Sequence, residues 1–72
     1  MPNNITSERM RIGIDQVELA RMLGVSASTV SRWERNVLKP YGSDLVAMHE
    51  VFGCSTDYLL GISDERNHFR AG

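Results

Sequence analysis

The side chains best placed for chemistry in this 72-residue chain are Ser28, Arg32 and Arg35, spaced i, i+4, i+7. At about 100° per residue they fall within roughly 40° of one direction on a helix, opposite Val30. Trp33 and Glu34 lie within roughly 60° of Val30 and define the inner side. The outer side is small, polar and positive, with no acid at its centre. Short side chains permit close approach to a nucleic-acid groove, and guanidiniums fit guanine edges or phosphates. Arg35 and Lys39 flank this face and suit phosphate oxygens.

Other chemistry finds weaker support. His49, Cys54 and His68 are too few and too scattered for a tetrahedral zinc site, so no metal is expected. Cys54 follows an apolar helix end and reads as a small buried hydrophobe rather than a nucleophile. Asp64-Glu65 is a solvated acidic pair, and there is no glycine-rich phosphate loop. Neither catalysis nor a cofactor is expected, and no small-molecule ligand is evident.

The elements that must carry the outer face are legible from periodicity and caps. Leu19, Ala20 and Leu23 recur at helical spacing. Gly24 ends that helix, because glycine enters the left-handed region at little cost. Val25 is an apolar turn residue, and Ser26 is a ready N-cap for a helix over 27–35. Two short helices joined by this tight turn, with Leu19, Ala20, Leu23, Val25, Val30 and Trp33 as core, make a helix-turn-helix. Before them, Ile5, Arg9 and Ile12 predict a helix ending near Ile12, capped by Asn3 or Asn4. Asp15 and Glu18 form a capping-box variant for the second helix. After a 36–42 loop, Ser43 is expected to cap a fourth helix carrying Leu45, Met48, Val51 and Phe52, closed by Gly53. Ser55 caps a short fifth helix over 56–60. Residues 1–61 form one domain and 62–72 a polar tail, open to being a frayed turn, a docking strip or a disordered end. No strand pattern is present.

Net charge is −1, which weighs against indiscriminate nucleic-acid binding. The charge is unevenly spread: residues 1–40 hold six basic and four acidic side chains, a net of +2, and residues 41–72 two basic and five acidic, a net of −3. Useful affinity would have to come from base readout or dimerisation. One Cys excludes an intramolecular disulfide and fits a reducing cytoplasm. No apolar run approaches the ~20 residues that span a bilayer, and no signal peptide is visible.

Over residues 5–61 the chain resembles the phage-repressor and Cro-like helix-turn-helix regulators, the XRE family. The resemblance rests on Glu8-Arg9-Met10-Arg11-Ile12-Gly13-Ile14-Asp15-Gln16, Glu18-Leu19-Ala20, Leu23-Gly24-Val25-Ser26, Val30-Ser31-Arg32-Trp33-Glu34, Lys39-Pro40 and Asp57-Tyr58-Leu59-Leu60-Gly61. It implies an all-α, five-helix, lambda-repressor-like DNA-binding domain with the motif in helices 2 and 3. It places Ala27, Ser28 and Arg32 at base edges, Gln16 at a phosphate, and Asn36 and Lys39 in the loop that tracks the DNA backbone. Arg35 on the outer face and Thr29 on its flank are added as backbone contacts from their helical positions. The resemblance also implies that Arg9 pairs with Glu34, where either charge alone would be costly. Asp15, Arg35-Asn36, His49 and Cys54 depart from the family pattern. Ala27 offers only apolar contact, for instance with a thymine methyl.

The expected function is therefore sequence-specific binding of double-stranded DNA as a cytoplasmic bacterial or phage-encoded repressor, not an enzyme. A homodimer on a palindromic operator is expected, joined through Leu59, Leu60, Ile62 and Phe69. Two alternatives stay open: an antitoxin that autoregulates its operon while binding a toxin, and a protein-interaction module.

Overall fold

The computed structural model describes residues 2–66, which form five helices and no strand: α1 (Ile5–Arg11), α2 (Gln16–Leu23), α3 (Ala27–Glu34), α4 (Ser43–Phe52) and α5 (Thr56–Leu59). Local signals explain most of the boundaries. Asp15 accepts the Glu18 amide at 2.8 Å and starts α2. Glu18 turns its carboxylate to Arg21, so only the Asp15 half of the predicted reciprocal cap forms among the described residues. Ser26 accepts the Thr29 amide at 3.1 Å and starts α3, and Ser55 accepts the Tyr58 amide at 3.1 Å and starts α5.

At α1 Asn3, one of the two expected caps, accepts the Ile5 amide with its side chain at 3.0 Å. Three boundaries differ from the expectation. α3 stops at Glu34, and Arg35 is its C-cap, not its last residue. Ser43 is the first residue of α4 rather than its cap; Gly42 takes that place at φ 61° and no side chain caps the end. Leu60 lies just past α5, which stops at Leu59.

The core is one cluster drawn from every helix: Ile5, Leu19, Ala20, Val30, Trp33, Met48, Phe52, Cys54 and Leu59 are all buried. Leu23 and Val25 are half-buried and pack against its edge. Trp33 and Val30 sit beneath α3, so the helix is held from below by the largest and one of the stiffest of these side chains. Leu59 is 0% exposed and belongs wholly to this core. It is therefore corrected as a dimer candidate, because removing it from the core to reach a partner would expose a fully buried leucine.

Both ends of the described chain are tied to the body. Asn4 donates to the Leu59 carbonyl from its backbone at 3.0 Å and to the Tyr58 carbonyl from its side chain at 2.7 Å. Gly61, at φ 80°, faces the Pro2 carbonyl so closely that a Cβ there would collide with it. At the other end, Ser55 donates to the Arg66 carbonyl at 2.7 Å. The Arg66 guanidinium reaches the Glu8 carboxylate at 2.9 Å and the Phe52 carbonyl at 2.7 Å. The tail therefore docks at least as far as Arg66. Phe69 and His68 lie outside the described residues.

Candidate nucleic-acid interface

The turn that aims α3 is built by Gly24, the one residue of that turn in the left-handed region, at φ 72°. The Val25 amide returns to the Ala20 carbonyl at 3.0 Å, satisfying an end of α2 that would otherwise be unpaired. Ser26 then fixes the start of α3, with its hydroxyl also 3.0 Å from Ser28 Oγ and 2.9 Å from Thr29 Oγ1.

With Val30 and Trp33 buried, Ser28 and Arg32 are exposed on the far side of the same helix, and Arg35, its C-cap, is exposed just beyond them. Thr29 is half-buried, and Ala27 is half-buried against the core, so only part of its methyl faces outward. Arg35 Nε donates to Ser31 Oγ at 3.2 Å, which steadies the guanidinium along the helix. Lys39 is exposed in the following loop. Asn36 stands at φ 60°, the only described non-glycine residue with positive φ. Asparagine tolerates this region better than most residues, so Asn36 does the work of a terminating glycine. Val37 and Leu38 then send their amides to the Arg32 carbonyl at 2.9 and 3.2 Å.

Behind the face lies a charged hub. Glu34 accepts from Arg9 Nε at 2.7 Å, from Thr6 Oγ1 at 2.9 Å and from Gln16 Nε2 at 3.1 Å. Arg9 also donates to the Ile14 carbonyl at 2.8 Å. The two charged side chains are 14% and 6% exposed. Burial alone would push the Glu34 carboxyl up, but hydrogen bonds from Arg9, Gln16 and Thr6 outweigh it and hold it below the ordinary value. The Glu34 hydrogen bond is the main cause raising Arg9. One hub thus links α1, the start of α2 and the end of α3, and it orients Gln16, one of whose N–H donors is committed to Glu34.

The electrostatics of the surface follow from which charges are consumed inside. Glu8, Glu18 and Glu34 each pair with arginine, and Asp15 caps α2. No salt bridge among the described residues takes up Arg32, Arg35 or Lys39. Three cations therefore flank the outer side of α3 although the net charge is −1.

Sequence reasoning passed over several residues. Glu8 is 3% exposed and held by Arg11 at 3.0 Å as well as by Arg66. Burial pushes its carboxyl up, and the two guanidiniums bring it below the ordinary range. Its spacing three after Ile5 placed it on the buried stripe, a signal that was available. The bonds from Thr6 to Glu34 and from Asn3 to the Trp33 carbonyl had no such signal, since these partners lie 28 and 30 residues away. Of the proposed self-association residues, Ile62 is 70% exposed and Leu60 half-buried. Elsewhere, Cys54 is buried, which raises its thiol above the ordinary value, with Glu8 adding to the effect. His49 Nδ1 lies 2.6 Å from the Cys54 carbonyl. Among the described residues no cluster of His, Cys, Asp or Glu is arranged to hold a metal ion, and no helix is long and apolar enough to cross a membrane.

Residues 5–59 match the family model described as helix-turn-helix. The chain is 40% identical over 60 residues to repressor protein C2 of Salmonella phage P22, covering 83% of this chain and 28% of that protein. It is 36% identical over 56 residues to the HTH-type transcriptional regulator DicA of Escherichia coli, covering 78% of this chain and 42% of that one. The chain thus spans less than half the length of these curated relatives. Among solved structures it resembles the P22 c2 repressor crystallised in complex with a synthetic operator, with a TM-score of 0.75 and 39% identity, covering 82% of this chain and 89% of that one. The solution structure of that repressor's DNA-binding domain gives a TM-score of 0.73 at 33% identity, covering 92% and 84%.

Proposed function

Because the chain belongs to the helix-turn-helix family of phage-repressor (XRE) type, we propose that it binds double-stranded DNA sequence-specifically and acts as a transcriptional repressor in a bacterial or phage-infected cytoplasm. It acts by binding, not by catalysis. The observation that carries this reading is the division of α3: Val30 and Trp33 buried, Ser28 and Arg32 exposed, and no carboxylate among the described residues paired with the cations around them.

In the proposed complex α3 lies in the major groove. Arg32 donates to a guanine edge, while Ser28 and the exposed part of Ala27 meet neighbouring bases. Gln16, Thr29, Arg35, Asn36 and Lys39 hold the DNA backbone on either side and set the register. A single module of this kind buries about 600–1,000 Å², which favours a homodimer on a palindromic operator with half-sites about 34 Å apart. Ile62 and Leu60 supply the self-contact. Sedimentation on the operator duplex should show two protomers per site, and one protomer at saturation contradicts the dimer.

The direct test is selection of bound duplexes from a random pool, followed by Arg32→Ala on the winning sequence. The variant should lose about 1–3 kcal/mol and relax the preference at one base pair. Failure to enrich any sequence contradicts the proposal.

A further inference from the structure

The N-terminal segment reaches the far end of the recognition helix. The carboxamide of Asn3 divides its bonds: Oδ1 accepts the Ile5 amide at 3.0 Å, and Nδ2 donates to the Trp33 carbonyl at 2.7 Å and to Asn36 Oδ1 at 3.1 Å. We propose that Asn3 is a positioning residue for the DNA-binding face: it bolts the N-terminal segment to the end of α3 and sets the course of the chain from Asn36 to Lys39. The proposal rests on the DNA-binding reading.

Three features give the bolt a firm base and a consequence. The neighbouring Asn4 is fastened to α5 through the Leu59 and Tyr58 carbonyls, so residues 2–4 bridge α5 and α3. Gly61 admits Pro2 to this seam. At the other side, Asn36 is held at φ 60°, a conformation with a steric cost for any residue bearing a Cβ. The Trp33 carbonyl already accepts the Asn36 amide at 3.1 Å. Asn3 adds a second donor to that carbonyl and one to the strained residue's own side chain, so it holds both sides of the turn. From that turn the Val37 and Leu38 amides return to the Arg32 carbonyl, so the turn also ties the loop to the backbone of the base-reading residue. Displacing the turn moves Asn36 and Lys39, which are assigned to phosphates, more than Ser28 near the start of the helix.

Asn3→Ser separates the two halves of the contact. Serine keeps an oxygen for the Ile5 amide but is too short to reach Trp33. In the free protein, amide exchange at Val37 and Leu38 should quicken about tenfold while Val25 is unchanged. On the selected duplex, affinity should fall roughly threefold to tenfold with the ranking of base-substituted sites preserved, the signature of misplaced phosphate contacts. Asn3→Ala should give the same exchange pattern and a lower melting temperature.

Unchanged exchange at Val37 and Leu38 overturns the bolt. Equal acceleration at Val25 reduces Asn3 to a general stabiliser and also overturns it. Faster local exchange with unaltered affinity removes the positioning role while leaving the DNA-binding reading intact. A wild-type protein that binds no duplex removes that reading, and the positioning role falls with it.

Discussion

Glu34 accepts from Arg9, Thr6 and Gln16, and in doing so makes a charged residue tolerable on the inner side of the recognition helix. Removing one partner leaves the other charge stranded. Arg9→Ala should therefore destabilise the fold by about 3 kcal/mol in chemical denaturation, whereas a loss below about 0.5 kcal/mol would show that Glu34 finds water instead. On the outer side the residues separate by role. Arg32→Ala should blunt discrimination between operator variants. Lys39→Ala should weaken binding to all of them alike and lower the slope of log affinity against log salt by about one. If both variants behave identically, the division into base-reading and phosphate-holding side chains is wrong. At this scale the helical spacing from Val30 is enough to separate buried from exposed on α3, because one heavily buried tryptophan leaves the helix little choice of orientation. The long-range bonds of Thr6 and Asn3 are invisible in the sequence, since a hydrogen bond between residues about 30 apart leaves no periodic trace.

The helix-turn-helix owes its geometry to short-range rules, and for that reason it is the part most legible in the sequence. Asp15, Gly24 and Ser26 each act within three or four residues, through caps and one left-handed turn. Ser26→Ala should cost about 1 kcal/mol by loss of the α3 cap. Gly24→Ala should cost a similar amount from strain alone, because open space surrounds a Cβ at that position. Thermal denaturation of the pair distinguishes these from packing defects, which would be larger. The start of α4 shows where local rules stop: Ser43 has the right type for a cap, but Gly42 at φ 61° takes the position and Ser43 becomes helical. Leu59 makes the same point for packing. Its stretch, Tyr58-Leu59-Leu60, presents three apolar residues in a row, and only the tertiary fold decides that Leu59 is core while Leu60 stays half-exposed.

For the molecule as a whole, stability should depend on two buried carboxylates. Glu8 and Glu34 both sit below the ordinary glutamate value of 4.5 in the folded state. A depressed folded pKa means the stabilisation is fully present above the unfolded value and is lost as pH falls through the folded one. The melting temperature should thus drop steeply below about pH 4.5. Glu8→Gln should flatten that slope even if it lowers stability throughout, and an unchanged slope would exclude Glu8 as a contributor. Gly61→Ala should also destabilise, because the new methyl meets the Pro2 carbonyl. The Arg66–Glu8 clasp joins residues 58 apart, a separation with no local pattern, so the sequence alone does not decide whether the tail docks. Internal pairing has the further effect of consuming the acids of the first half and leaving Arg32, Arg35 and Lys39 to set the field at α3. The central claim, that this face receives a duplex, is tested most directly by titrating the selected operator into the isotopically labelled protein and mapping amide shifts. The largest changes should fall on Gln16, on residues 26–36 and on Lys39, with α4 and α5 little affected away from any self-contact at Leu60 and Ile62. Shifts centred on the acidic residues of α4, or none at α3 under saturating DNA, would contradict it.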